Sequence, residues 1–324
     1  MTRQIHLNLF IHSRGHHEAS WRHPDASRLS VFDIAYYQDL ARRAESGLFD
    51  SLFFADQLAL SNDIANGPRT GLEPLTVLAA LAVSTSHVGL ISTASTTYTE
   101  PFNLARQFAS LDHISRGRIG WNIVTSWLAT AARNYGGNAL DHASRYARGE
   151  EFMAVVNGLW DSWASDALID DRDSGHYARL ERIRPIDHEG EHYTVGGPLN
   201  MPQCPQGRPV LVQAGSSETG RNFAARYAEA VFTAQLEKVT AQAFYSDLKS
   251  RVEAAGRSVD QALILPGLSP LIASTETEAK QIADDLGNLA DPEVGRQRMS
   301  ARFGGYDFSH LPLDQGLSVD AFPD

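Results

Sequence analysis

Val88–Ser126 reads VGLISTASTTYTEPFNLARQFASLDHISRGRIGWNIVTS. Val88–Ser92 has no strict polar alternation, as expected of a strand buried on both faces. Leu104, Phe108, Leu111 and Ile114 then recur at spacings of three and four, which predicts an amphipathic helix, and Gly117 ends it. Ile119–Val124 returns to a continuous strand pattern. Strand, helix and strand in this order predict a parallel pair joined by a crossover helix.

The alternation continues in both directions. Ile5–Phe10, Ser51–Phe54, Val210–Gln213, Val231–Thr233 and Leu263–Leu268 are further strand candidates. Ser30, with Asp33 as box partner, is expected to cap a helix carrying Ile34, Tyr37, Ala41, Ala44 and Leu48, with Gly47 as its left-handed stop. Glu73-Pro74 opens the next helix, and Thr275 with Glu278 makes another capping box. No G-x-G-x-x-G follows the first strand, which weighs against an open dinucleotide-binding sheet. The pattern therefore predicts an α/β fold of the TIM (β/α)8 barrel type. It supplies seven strands and no convincing eighth, because the sequence after Glu276–Leu289 is broken by Pro and Gly. Asp161–Arg208 forms a long insertion between the fourth and fifth strands. It holds the acidic stretch DDRDSG and a predicted hairpin over Ile183–Val195 turning at Glu189-Gly190. A loop of that length on a barrel rim reads as a lid or specificity element. Residues 1–324 are thus read as one domain, with 161–208 inserted in it.

Composition narrows the function. Of 324 residues, 43% are hydrophobic and 21% charged, which excludes a disordered or fibrous chain. Lys and Arg total 28 against 39 Asp and Glu, a net charge of −11, which argues against binding nucleic acid or an anionic membrane. The longest apolar stretch, Pro74–Val83, is too short to span a bilayer, and Met1 runs into QIHLNLF without a signal-peptide pattern, so a cytoplasmic setting is expected. Cys204, the sole cysteine, excludes an intrachain disulfide and reads as a loop thiol.

Several strand ends carry polar side chains. His12, followed by His16 and His17, invites a metal site, but no later strand end completes a ligand set, so no metal is expected. Asp56 ends FFAD, pointing into a barrel mouth or closing an Asx turn. Thr93 lies in a run of small hydroxyl residues that admits a flat ligand or makes a Ser/Thr turn. Asn122 and Thr125 are the polar positions of the fourth strand, and a buried Asn amide needs partners for both its atoms. His142 and Tyr146 share a helix face beside Arg145, a set that holds an anion or merely starts a helix after Asp141. Val210–Arg221 is strand, Gly-Ser-Ser turn, helix, and places Ser216 and Ser217 at a helix N-terminus, a ready anion site.

Taken together, WRHPDAS (21–27), GLFDSLFFAD (47–56), the STASTTYTEP to NIVTS run (92–126), ARNYG (132–136), DHASRYARGEEF (141–152), GPLNMPQCPQGRPVLVQAGSSETGR (197–221) and DPEVG (291–295) resemble one family. It is the bacterial-luciferase-like flavin monooxygenases, in the branch containing the oxygenating component of nitrilotriacetate monooxygenase, dibenzothiophene-sulfone monooxygenase and pristinamycin synthase. The resemblance implies FMN at the barrel mouth, contacted by Asp56, Thr93, His142, Tyr146, Ser216 and Ser217, with Asn122 against the ring or the substrate. His12, His17 and Trp21 are implied substrate contacts. It further implies a two-component system, in which a separate NAD(P)H:flavin reductase supplies reduced FMN and O2 oxygenates a small organic substrate through a flavin C4a-hydroperoxide. A homo-oligomer is implied as well. The branch pattern continues with GT-x-E-x-[IV]-A-D and DGF around the eighth strand, and neither occurs here. That departure raises a flavin-binding protein without catalysis as an alternative, and a deazaflavin-dependent reductase is another on the same fold.

Overall fold

The computed structural model describes residues 5–60, 62–303 and 305–313. The chain forms two compact units: Met1–His12, Leu29–Leu60 and Gly71–Leu268 in the first, and Ser13–Arg28, Ser61–Thr70 and Ser269–Asp324 in the second.

The first unit opens with β1 (Asn8–Ile11), α1 (Ile34–Ser46), β2 (Ser51–Phe54), α2 (Pro74–Ala82), β3 (Gly89–Ser95), α3 (Pro101–Ser115) and β4 (Ile119–Val124). The helices α4 (Ala129–Asn134) and α5 (His142–Trp160) follow, then two small hairpins, β5 (Leu168–Asp171) with β6 (His176–Ala178) and β7 (His188–Glu189) with β8 (Thr194–Val195). It closes with β9 (Val210–Gln213), α6 (Glu218–Tyr227), β10 (Ala230–Thr233), α7 (Lys238–Ala254) and β11 (Leu263–Pro266).

Seven strands make one parallel sheet in the order β1-β2-β3-β4-β9-β10-β11. All seven predicted strands are in it, and among the described residues it has no eighth, so β1 and β11 are its edges. The sheet curls strongly. Phe10 on β1 and Phe232 on β10 have ring centroids 6.3 Å apart, although four strands lie between theirs. A flat sheet would separate them by about 24 Å at ~4.8 Å per strand.

Each face of the sheet is filled. Inside the curl, Ile91, Val212 and Ala230 pack with Phe53 and Leu265. Outside it, Trp121 is wholly buried among Phe108, Phe152 and Trp160, with ring centroids 5.8, 5.9 and 6.2 Å away. Its indole N–H donates to Ala94 O at 3.1 Å, so the one polar atom of the side chain is satisfied within the core. Strands buried on both faces explain why the sequence shows continuous apolar runs there.

Local chemistry corrects some expected boundaries. Asp33, and not Ser30, caps α1, accepting from Ala35 N at 2.9 Å, while the Ser30 hydroxyl accepts from Phe32 N at 3.1 Å in a turn just before. Gly47 ends α1 at φ −82°, and the left-handed residue is Leu48 at φ 59°. The α2 helix begins at Glu73-Pro74 as expected, and the Glu73 carboxylate caps it, accepting from Leu75 N and Thr76 N. The DDRDSG stretch, residues 170–175, ends β5 and makes the turn of the β5–β6 hairpin. Its strands are almost wholly exposed, so burial never imposed an apolar alternation on them.

The insertion is tied down at its second hairpin. Glu151 of α5 receives His192 N at 2.9 Å and Tyr193 N at 2.8 Å, and meets His188 Nε2 at 3.1 Å. Burial pushes this carboxyl upward in pKa, but the three hydrogen bonds together outweigh burial and leave it below its ordinary range. Gly190 fits only because it has no side chain, since a Cβ there would stand 2.1 Å from Glu151 Oε1. Cys204, in the returning segment, is buried, and burial beside Asp112 pushes its thiol up to about 12, an unreactive state.

The second unit contains α8 (Glu276–Leu289), opened by the expected Thr275–Glu278 capping box, and α9 (Pro292–Arg302). Glu18 pairs with Arg69 and Arg298, the Arg22 guanidinium donates to Leu289 O, and the Trp21 indole covers Gly67.

Candidate functional site

The strands' C-terminal ends enclose a cavity of about 250 Å³ in the first unit. Phe10, Phe53 and Phe232 form its aromatic wall, and Ala55, Leu58, Val124 and Ala214 complete the apolar part. Its polar groups are Asp56, Thr93, Ser95, Asn122 and Ser126. Strand periodicity delivers them: Thr93 and Ser95 alternate on β3, and Asn122, Val124 and Ser126 do so from β4 onward. Thr125 falls on the opposite side, where its methyl lies 3.3 Å from the position a Gly149 Cβ would take.

Asn122 is the most constrained of these side chains. It is 3% exposed, and its Nδ2 donates to Thr93 Oγ1 at 2.9 Å. Its Oδ1 is buried with no hydrogen-bond partner among the described residues. An orphaned buried carbonyl costs roughly 1–3 kcal/mol. An acceptor in this position is able to take an N–H or O–H from a ligand.

Asp56 follows β2 and accepts from Gln57 N at 2.8 Å. Burial raises its pKa, the Gln57 N–H lowers it, and nearby Glu73 raises it further; the net shift is upward. A carboxyl whose folded pKa exceeds its unfolded value of about 3.9 stabilises the fold fully below that value and loses this contribution as pH rises through the folded pKa. Asp56→Asn is therefore expected to gain in melting temperature over wild type between pH 4 and pH 7. A constant difference across that range would show that the carboxyl is not desolvated.

A second cluster lies at the N-terminus of α6. Ser217 caps the helix, its hydroxyl oxygen accepting from Gly220 N at 3.1 Å, which leaves the hydroxyl proton free to be donated outward. The first-turn N–H groups of Glu218 and Thr219 have no acceptor within the helix. Ser216 and Ser217 are exposed, and Gly220 is buried. A Cβ on Gly220 would stand 2.9 Å from the Tyr146 hydroxyl and 3.1 Å from Ser217 Oγ, so the phenol lies directly over this turn. His142 stacks obliquely on Tyr146, with ring centroids 4.9 Å apart. Asp141 caps α5 through Ser144 N at 2.9 Å, and Arg145 donates to Leu140 O at 2.9 Å; of the expected His142–Arg145–Tyr146 set, Tyr146 is the residue whose hydroxyl lies against the α6 turn, with His142 stacked on it.

The structure thus collects Asp56, Thr93 and Asn122 at the cavity, and His142, Tyr146, Ser216 and Ser217 at the α6 turn. His12 follows β1, with its ring 5.7 Å from Phe10. His17 and Trp21 belong to the second unit. Sequence reasoning missed the three phenylalanines, Ser95, Ser126 and Gly220. Period-two alternation from Thr93 and Asn122 was the signal that leads to both serines.

A curled parallel α/β sheet with its polar side chains at the strands' C-terminal ends has the organisation of a barrel enzyme. The chain belongs to the luciferase-like monooxygenase family, which it matches over residues 8–316. It is 46% identical over 316 residues to N-acetyl-S-(2-succino)cysteine monooxygenase of Bacillus subtilis (strain 168), covering 97% of this chain and 72% of the relative. It is 44% identical to nitrilotriacetate monooxygenase component A of Aminobacter aminovorans, covering 98% and 73%. Among solved structures, a riboflavin lyase with modified FMN and riboflavin superposes at a TM-score of 0.88 with 34% identity, covering 96% of this chain and 72% of that one. None of the described helices is long and apolar enough to cross a membrane.

Proposed function

We propose that this protein is the oxygenating component of a two-component system and holds reduced FMN at the strands' C-terminal ends. One observation carries the reading: the same unit presents an orphaned amide oxygen inside an aromatic cavity and an anion cradle at a glycine-built helix start. An isoalloxazine ring offers N–H donors on a flat apolar body, and its ribityl phosphate is the anion, so the residues present fit the group. Family membership supports the same assignment, as does the modified FMN of the riboflavin lyase.

In this reading Asn122 Oδ1 accepts from the ring, and Thr93 holds the amide in that orientation. Phe10, Phe53 and Phe232 keep water from the ring. Asp56, with its raised pKa, holds or accepts a proton at the cavity edge. Ser216, Ser217, the α6 N–H groups, Tyr146 and His142 hold the phosphate. Bound reduced FMN supplies the electrons that activate O2 for insertion of one oxygen atom into a small organic substrate. A separate NAD(P)H:flavin reductase provides it, in keeping with the component A designation of the nitrilotriacetate relative.

Anaerobic titration of the full chain tests the proposal. Reduced FMN is expected to bind saturably and at least about tenfold more tightly than the reduced deazaflavin cofactor, an energy difference of ~1.4 kcal/mol. Equal or tighter binding of the deazaflavin contradicts the monooxygenase reading.

A further inference from the structure

We infer that Gln213 is the positioning residue of the phosphate cradle and acts through the Gly215 amide; this rests on the flavin reading above. β9 alternates in the usual way. Val212 and Ala214 face the inside of the curl, where Val212 packs with Ile91 and Ala214 lines the cavity. Leu211 and Gln213 therefore face the helices. Leu211 is a core residue there, whereas Gln213 is a polar side chain only 5% exposed in the same layer. A primary amide in that position is costly unless it does something an apolar residue cannot.

Its bond shows what that is. Gln213 Oε1 accepts the Gly215 N–H at 2.6 Å, closing a short ring across Ala214. The amide also fills the space of a side chain at position 215. A Cβ on Gly215 would stand 2.4 Å from Gln213 Nε2 and 3.0 Å from Gly220 Cα. Gln213, Gly215 and Gly220 thus interlock, so the turn lies flat on the first turn of α6. With the Gly215 N–H taken from within, the next two residues turn outward, and Ser216 and Ser217 stand exposed, Ser217 Oγ and the Tyr146 hydroxyl both lying against Gly220. Ser217 alone explains the helix cap, but neither the buried glutamine nor the glycine at 215. Gln213 is not among the side chains that line the cavity. It fixes the spacing between Ala214, at the ring wall, and Ser216, at the phosphate.

The test compares FMN with riboflavin, which lacks only the phosphate, by fluorescence titration of the full chain. Gln213→Leu is expected to weaken FMN binding roughly tenfold, the cost of one buried hydrogen bond, and to leave riboflavin within about twofold of wild type. Gly215→Ala, which drives the amide out while Gln213 is present, must give the same phosphate-selective loss, and it carries the test should Gln213→Leu not fold. Equal losses for the two ligands, or unchanged FMN affinity in a folded variant, overturn the inference and leave the flavin reading standing. A wild-type protein that binds FMN no more tightly than riboflavin overturns the phosphate reading itself and the role of Gln213 with it.

Discussion

Ser217→Asp protein is expected to bind FMN about a hundredfold more weakly than wild type and riboflavin equally well. The substitution separates two roles of one residue. Aspartate caps a helix as well as serine does, so the bond from Gly220 N, 3.1 Å in the wild type, has a replacement acceptor and α6 keeps its start. The phosphate, however, meets a carboxylate in place of a hydroxyl donor. Two unit charges ~4 Å apart repel by about 4 kcal/mol at an effective dielectric of ~20. Ser217 is exposed, so solvent screening removes part of this. About 2.7 kcal/mol remaining corresponds to the hundredfold. Isothermal titration with both ligands measures it, alongside a melting curve that should match wild type. A variant that retains FMN affinity would place the phosphate elsewhere.

Trp121→Ala is expected to give the largest loss of stability of any single truncation in the sheet, about 3–5 kcal/mol by urea denaturation. Trp121 is fully buried and joins three large side chains from α3 and α5, so its removal leaves a cavity that Phe108, Phe152 and Trp160 cannot close without leaving their own positions. It also strips the donor from Ala94 O. The strand register couples this to the site, because Thr93 pairs with Asn122 and Ala94 with Ile123 across β3 and β4. A loss below about 1.5 kcal/mol would mean that the layer outside the sheet does not depend on this residue.

The fold was legible because burial writes itself into sequence. Ser51–Phe54, Ile119–Val124 and Val210–Gln213 match their strands residue for residue, since most of their residues are buried and their apolar runs are continuous. The β5–β6 hairpin was not legible, because solvent places no such demand on it. The start of α1 was ambiguous because Ser30 and Asp33 both accept from backbone N–H groups nearby, and only the chain's path shows which of them begins the helix. At the candidate site, Ser216 and Ser217 could be marked from the strand-turn-helix pattern alone. Gln213 and Gly220 could not, since one contributes a buried hydrogen bond and the other an absent side chain. Phe10 and Phe232 come from strands far apart in sequence, and only the curl of the sheet brings their rings edge to face, 6.3 Å apart.

A crystal structure of the full chain grown with FMN addresses the central claim most directly. The flavin ring should lie among Phe10, Phe53 and Phe232, with a ring N–H within hydrogen-bond distance of Asn122 Oδ1, and its phosphate should sit on the N–H groups at the start of α6 beneath Tyr146. Density for the flavin at any other place, with the Asn122 oxygen still unpaired, would contradict it.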